Sequence, residues 1–399
     1  MATTSADRIA VLDVIRGVAV MGILVANLPA FGLPEAAYFN PRAWGGTGPA
    51  DVAIWAANFV LIEGKMRGLF SFLFGASALL VIERAGEAAA RVHYGRMATL
   101  LGIGLIHGYL IWWGDILAHY ALVGSVAFFM RRMAVHQLVT LGGVLVGTQC
   151  VLGVLLAFAA FMPEGAAMAS ALGAPRRPEL LRELAAYRGG YGANVAHRWA
   201  TNDNPLVVLL AGGAETLGYM LWGMAGLKSG FLTGAWERRR YVGITAWTLP
   251  VGWAVYAILA SVVIGRGFDW RYVAVAAMGV STPFRPLLIA GYACLIMLLA
   301  RPGGWLTERV AAAGRAAFTN YLGTSVAMTA MFYGWGLGLF GRLGRGEMYG
   351  LVPVAWALML AWSKPWLDRY RYGPLEWSWR SLARLERQPL RLSPRVRTS

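Results

Sequence analysis

The sequence predicts an all-α, polytopic integral membrane bundle of about ten transmembrane helices, both termini cytoplasmic, forming a single domain over residues 1–399. Three observations lead there. Hydrophobic residues make up 58% of the chain and charged residues only 14%, where a soluble domain carries about 25% charge. The mean hydropathy is +0.53. Apolar runs recur at roughly 20 residues, the length a bilayer core requires. A water-facing globule and a disordered chain are both excluded.

The spans fall at about 9–31, 52–82, 94–113, 115–130, 135–161, 205–231, 241–265, 272–299, 314–340 and 350–371. In the first, Asp13 and Arg16 interrupt the opening turns. A cleaved signal has 7–15 uninterrupted apolar residues, so this reads as a retained helix. The second run is about 46 Å long as straight helix, too long for one simple crossing, and Gly64 and Gly68 bracket a break. Pro283 and Pro286 predict a kinked or broken helix in the eighth. Fifty glycines favour close helix packing, and Gly104/Gly108, Gly143/Gly147 and Gly334/Gly338 have the small-xxx-small spacing.

Net charge is +16. Of the 36 Lys and Arg, 22 fall on the side of the N-terminus and 10 on the other, with four inside apolar segments. That asymmetry places both termini inside and accounts for the basic charge without a nucleic-acid partner. The outward-facing loop 162–204 carries Pro163, Pro175, Pro178 and Gly189-Gly190, with a short helix at Glu179–Tyr187; it either caps a site or merely connects. The basic cytoplasmic tail, 372–399, suits anionic membrane lipid. Cys150 and Cys294 lie in apolar runs, so neither a disulfide framework nor a metal centre is expected.

Charged groups in hydrocarbon are costly and mark candidate sites. Asp13 and Arg16 share one helix face, as an inner-surface ligand site or an interfacial salt bridge. Glu63-Gly64-Lys65-Met66-Arg67-Gly68 sets two cations past the midplane, either as an inward-opening pocket for phosphate or carboxylate or as internal ion pairs. The sharpest constellation runs from His107 to His119. Asp115, at a tight outer turn after Gly114, is placed to fold back and orient His107 as a general base. His119, four residues after Asp115, competes for that carboxylate. Glu215, Arg285, Asn320 and Tyr321 are further intramembrane polar candidates, Glu215 as partner of Arg285 or Lys65. No nucleotide loop, zinc-protease motif or serine elbow is present.

Several motifs together resemble the YeiB-like family of bacterial inner-membrane proteins. They are Leu12-Asp13-x-x-Arg16-Gly17 with Gly22 and Asn27, Gly32-Leu33-Pro34, and Phe39-Asn40-Pro41. Further along come Phe70-x-x-Leu73-Phe74-Gly75, His107-Gly108 followed by Gly114-Asp115-Ile116-Leu117, Gly314-Arg315 with Thr319-Asn320-Tyr321, and Gly373-Pro374-Leu375-Glu376-Trp377 with Arg380. The match runs from Arg8 to about Arg391; His119 falls outside it. More remotely the chain is similar to transmembrane acyltransferases such as the heparan-glucosaminide acetyltransferase. Where that enzyme has a catalytic His, this chain reads Asn40-Pro41-Arg42-Ala43-Trp44-Gly45-Gly46. Either His107 takes over the base role or the chemistry is absent.

The resemblance implies an acyl group passed from cytosolic acyl-CoA to a hydroxyl or amine on an extracytoplasmic or membrane-embedded acceptor, whether glycan, lipid or small molecule. In that reading Asp13, Arg16, Lys65 and Arg67 hold the donor, while His107 and Asp115 are catalytic. A transporter or lipid-handling protein for an anionic or amphipathic substrate is the alternative. A bacterial inner-membrane location, lipid contacts and a homodimer complete the expectation.

Overall fold

A computed structural model describes residues 5–163, 173–202 and 204–392, with the side chains of 5–10 left aside. Every regular element among these residues is helical. Six stretches are long and apolar enough to cross a bilayer: Val11–Gly32, Pro49–Ile111, Val135–Ala159, Pro205–Lys228, Arg238–Gly265 and Trp270–Leu299. Leu117–Met130 is shorter. The last two runs expected from hydropathy appear as helices of 16 and 17 residues, Ala317–Phe332 and Leu351–Leu367.

In chain order the first helices are α1 (Ser5–Gly32), α2 (Pro49–Leu61), α3 (Lys65–Ala85), α4 (Ala89–Ile106), α5 (Leu117–Ala127) and α6 (Val135–Ala159). Two short helices follow, α7 (Arg177–Arg188) and α8 (Tyr191–Thr201). Then come α9 (Pro205–Lys228), α10 (Arg238–Gly265), α11 (Trp270–Ala274), α12 (Arg285–Leu299), α13 (Trp305–Arg315) and α14 (Ala317–Phe332). The chain closes with α15 (Arg345–Tyr349), α16 (Leu351–Leu367) and α17 (Pro374–Arg384).

The long second run does break, at Ile62–Gly64. Gly64 has φ +73, a left-handed conformation that a residue with a Cβ disfavours. Gly68, by contrast, stays inside α3. The eighth run breaks at its prolines: α11 passes through a π-turn at Val275–Val280 and a 3-10 turn at Thr282–Phe284 that holds Pro283, and α12 starts at Arg285 with Pro286 in its first turn.

α1 lies at the centre, packed on α3, α13 and α14, and 67% of its most apolar window is buried. Its buried Ile15, Ala19, Leu28 and Phe31 belong to the main core. α9 packs on α3, α5 and α6. α6 has only 22% of its window buried and exposes Val144, Val151, Leu155 and Phe158, the surface a lipid-facing helix presents. Of the small-residue motifs, Gly104 approaches α5 so closely that an added Cβ would lie 2.3 Å from the Ala118 nitrogen. Gly143 and Gly147 face open space.

Arg16 near the start of α1 and Trp379 and Arg380 on α17 line one cavity, so the first and last helices meet at one end of the bundle. The Trp379 indole on α17 donates to the Arg96 carbonyl on α4 at 3.1 Å. The Glu376 carboxylate accepts from the Phe318 and Thr319 amides at 2.7 and 3.0 Å, capping α14.

Candidate functional site

The site begins where α4 stops being an α-helix. Residues His107–Ile111 form a π-turn, closed by the Trp112 amide donating to the His107 carbonyl at 2.8 Å. Single π-turns inside helices recur at functional sites. Trp112 then runs extended, buried against Phe31 at 4.1 Å between ring centroids. This reversal returns Asp115 toward His107.

Asp115 is fixed through both oxygens. Oδ1 lies 2.8 Å from His107 Nδ1, and Oδ2 accepts from the Ala118 amide, also at 2.8 Å, in the first turn of α5. With Nδ1–H donating to the carboxylate, the neutral ring keeps its lone pair on Nε2. The ring is 1% exposed, and among the described residues Nε2 has no hydrogen-bond partner. Buried polar atoms are normally satisfied; among the described residues Nε2 is one of eight buried side-chain nitrogens and oxygens without a partner. His119 does not compete: its Nε2 pairs with Thr216 Oγ1 at 2.9 Å.

Two cavities lie near this pair, one with Asp115 in its wall and neither with His107. One, of about 250 Å³, is lined by Glu35, Gly108, Asp115, His119 and Asn202 among others. The other, of about 190 Å³ and mostly apolar, reaches from Arg16 to Ile116, Leu117 and Tyr321. Tyr321 joins the second cavity to the base: its ring sits 5.4 Å from the His107 ring, and its hydroxyl donates to the Gly114 carbonyl at 3.4 Å.

The segment between α6 and α9 caps the π-turn, whose carbonyls lack helical partners. Arg198 on α8, fully buried, donates to the Tyr109 and Leu110 carbonyls at 3.1 and 2.8 Å. Asn202 donates to the Gly108 carbonyl at 3.1 Å, and the Tyr191 hydroxyl to Leu110 at 3.0 Å. Residues 164–172 of that loop lie outside the described residues. On α7, Glu183 accepts from the Glu35 amide at 2.8 Å. Burial, helped by the nearby Glu35 charge, pushes its carboxyl up to about 7.

The other expected residues separate into distinct environments. Arg16 donates to Asp13 and to Ser77, both at 2.8 Å, and lines the apolar cavity. Lys65 is 0% exposed; its ammonium donates to the Phe59 carbonyl and lies 3.2 Å from the Tyr256 ring centroid. Arg67 goes instead to Glu215, at 3.0 Å. Glu215 also binds Arg285 and accepts from the Tyr219 hydroxyl at 2.9 Å. The two helix breaks meet at this cluster: a Cβ on Gly64 would lie 2.7 Å from Arg285 Nε. The four groups expected to share a donor site therefore divide among three places: Asp13 with Arg16, Lys65 with the Phe59 carbonyl, and Arg67 with Glu215. Asn320 is bound by Ala313, Ser363 and Trp362, an internal pin.

Arg198 and Asn202 were not singled out from sequence. They sit in a polar loop where one arginine looks like the next, and only the open π-turn carbonyls distinguish them. Among the described residues, no group of three His, Cys, Asp or Glu is placed to hold a metal ion.

Residues 227–386 match the family described as Protein of unknown function (DUF418). The chain is 34% identical to Uncharacterized protein YeiB of Escherichia coli (strain K12) over 94% of this chain and 96% of that protein. It is 30% identical to Uncharacterized protein YxaH of Bacillus subtilis (strain 168), covering 99% of this chain and 98% of the other. No solved structure matches it.

Proposed function

We propose that this chain, which belongs to the YeiB family, is an integral membrane acyltransferase of the bacterial inner membrane, using acyl-CoA as donor. One observation carries the reading: His107 is oriented by Asp115 through Nδ1 while Nε2 stays unpartnered and buried. That is the arrangement of a general base held by a second group.

In the proposed step Nε2 takes the proton of an acceptor hydroxyl or amine as that atom attacks the thioester carbonyl. The tetrahedral intermediate collapses, expelling the CoA thiolate, which recovers the proton from the imidazolium. The products are the acylated acceptor and free CoA. Asp115 holds the tautomer and steadies the transient cation. The arginine-rich end of the bundle faces the cytosol, in keeping with the charge asymmetry of the loops, and the acceptor reaches the base through the cavity beside Asn202. The test is transfer of labelled acyl groups from acyl-CoA in membranes. His107→Ala is expected to lose on the order of 10²-fold or more; wild-type transfer by that variant overturns the assignment.

A second reading has its own support. Two broken helices meet at the Arg67–Glu215–Arg285 cluster, where Glu215 and Arg285 are buried and Arg67 is partly exposed, and carriers build substrate sites from discontinuous helices. Accumulation of an unmodified solute in vesicles, abolished by Glu215→Gln, would favour transport over transfer.

A further inference from the structure

The apolar cavity between α1, α3, α4, α5 and α14 has one polar end, and that end is cationic. Arg16, Arg96, Arg315 and Arg380 line it, contributed by four different helices. Two pairs of motifs far apart in sequence bring them together. Gly314 packs against α1 so tightly that a Cβ there would fall 1.9 Å from the Asp13 carbonyl oxygen and 2.6 Å from the Gly17 nitrogen. This contact sets Arg315 beside the Asp13–Arg16 pair. On the other side, Trp379 strapped to the Arg96 carbonyl holds the Arg96 guanidinium 4.2 Å from its ring centroid. The next residue, Arg380, lies 4.5 Å from the Tyr372 ring centroid.

The acids at this mouth are already committed. Asp13 is bound by Arg16. Glu376 is taken up by the Phe318 and Thr319 amides and by the Thr319 hydroxyl at 2.5 Å. Among the described residues, no carboxylate lies within ion-pair distance of Arg96, Arg315 or Arg380. Burial, with the like charges of Arg384 and Arg16, pushes the Arg380 guanidinium below its ordinary value. Converging guanidiniums without counter-ions suit an anion, and guanidinium geometry matches phosphate oxygens in particular.

Behind this mouth the walls are hydrocarbon. On α3 the lining runs from Val81 to Phe70, a rise of roughly 16 Å. Ser77 and Ala78 line it on the side of the arginines, and Phe70, Leu100, Leu117 and Tyr321 line the far part. A cavity charged at one end and apolar along its length selects a molecule built the same way.

We propose that this cavity binds an apolar chain joined to a phosphate-bearing head, with phosphate on Arg16, Arg96, Arg315 and Arg380 and the chain running toward Tyr321. It deepens the acyltransfer reading, on which it rests for the identity of the chain's thioester, by moving the donor phosphates away from Lys65 and Arg67. Acyl-CoA and an anionic phospholipid both carry phosphate at one end and hydrocarbon at the other, in acyl-CoA with the pantetheine arm between them, which would occupy the stretch toward Tyr321.

The experiment is equilibrium binding of radiolabelled palmitoyl-CoA to full-length protein in phosphatidylcholine nanodiscs. Saturable binding is expected, weakened at least tenfold by Arg96→Gln with Arg380→Gln, and blocked by Ala78→Trp, which fills the chain path. Arg380→Gln alone, a change on the peripheral helix, is expected to weaken binding several-fold and serves if the double variant fails to fold. Arg42→Gln, at the opposite end, is expected to bind as wild type. Palmitate, lacking phosphate, and CoA, lacking the chain, are expected to compete poorly. Displacement by phosphatidic acid at lower concentration than by unlabelled palmitoyl-CoA would support the same site with a lipid as its natural occupant. Unchanged binding in the Arg380 and Ala78 variants, or palmitate competing as well as palmitoyl-CoA, overturns the proposal. Binding with these properties but no transfer would sink the acyltransfer reading alone; transfer dependent on His107 but indifferent to the arginine variants would sink the site alone.

Discussion

Gly17 of α1 and Gly314 of α13 meet backbone to backbone: a methyl on Gly314 would sit 2.6 Å from the Gly17 nitrogen, and one on Gly17 would sit 2.1 Å from the Val310 carbonyl oxygen. Two motifs some 300 residues apart thus share one contact, which holds Asp13, Arg16 and Arg315 at one cavity mouth.

That contact leaves no room for a side chain. Gly314→Ala is expected to cost about 1–3 kcal/mol through overpacking, because its neighbours there are backbone atoms that do not move aside. Gly143→Ala, facing open space, is expected to be neutral. Thermal unfolding of the two variants in detergent checks the pair, and equal losses would contradict the packing.

The Arg67–Glu215–Arg285 cluster makes the opposite kind of prediction. Glu215 is 4% exposed and serves two arginines. Glu215→Gln leaves Arg285 as an uncompensated buried charge and is expected to destabilise by about 3–5 kcal/mol. Arg67→Gln should cost less, since that side chain is 40% exposed. Denaturation in mixed micelles gives the order.

At the base, Asp115→Asn keeps an oxygen for the Ala118 amide but removes the charge that orients and supports His107. Acyl transfer is expected to fall by about 10²–10⁴-fold with a loss of stability of about 1–3 kcal/mol. Retained activity with a normal melt would remove Asp115 from the mechanism.

Docking of the α7–α8 cap should depend on pH. The Glu183 carboxyl, raised by burial from 4.5 to about 7 in the folded protein, binds more protons folded than unfolded between those values. Stability from this group is therefore full below the unfolded value and falls as pH rises through about 7. With the base-catalysed rise of intrinsic exchange divided out, protection of the α7 and α8 amides is expected to be lower at pH 8 than at pH 5.5, and Glu183→Gln should flatten the difference. A cap equally protected at both values would contradict this.

The membrane character was legible in the sequence because hydropathy and span length are local, additive properties. The break at Gly64 was legible too, since a run too long for one crossing must bend and glycine tolerates the bend. The nearness of Asp115 to His107 followed from a tight turn eight residues long. The separation of Lys65, Arg67 and Arg16 did not follow, because position along a span does not fix which way a side chain points around its helix.

The sequence by itself determined a helical membrane protein whose interior charges are few and need partners, because desolvation penalises each charge wherever the fold puts it. Only the tertiary structure decided the pairings. Arg285 and Arg67 converge on Glu215 where two broken helices touch, and four arginines from four helices ring one apolar cavity. Such choices depend on helix rotation and close approach, which arise from packing the whole bundle and leave no trace in any single stretch of chain.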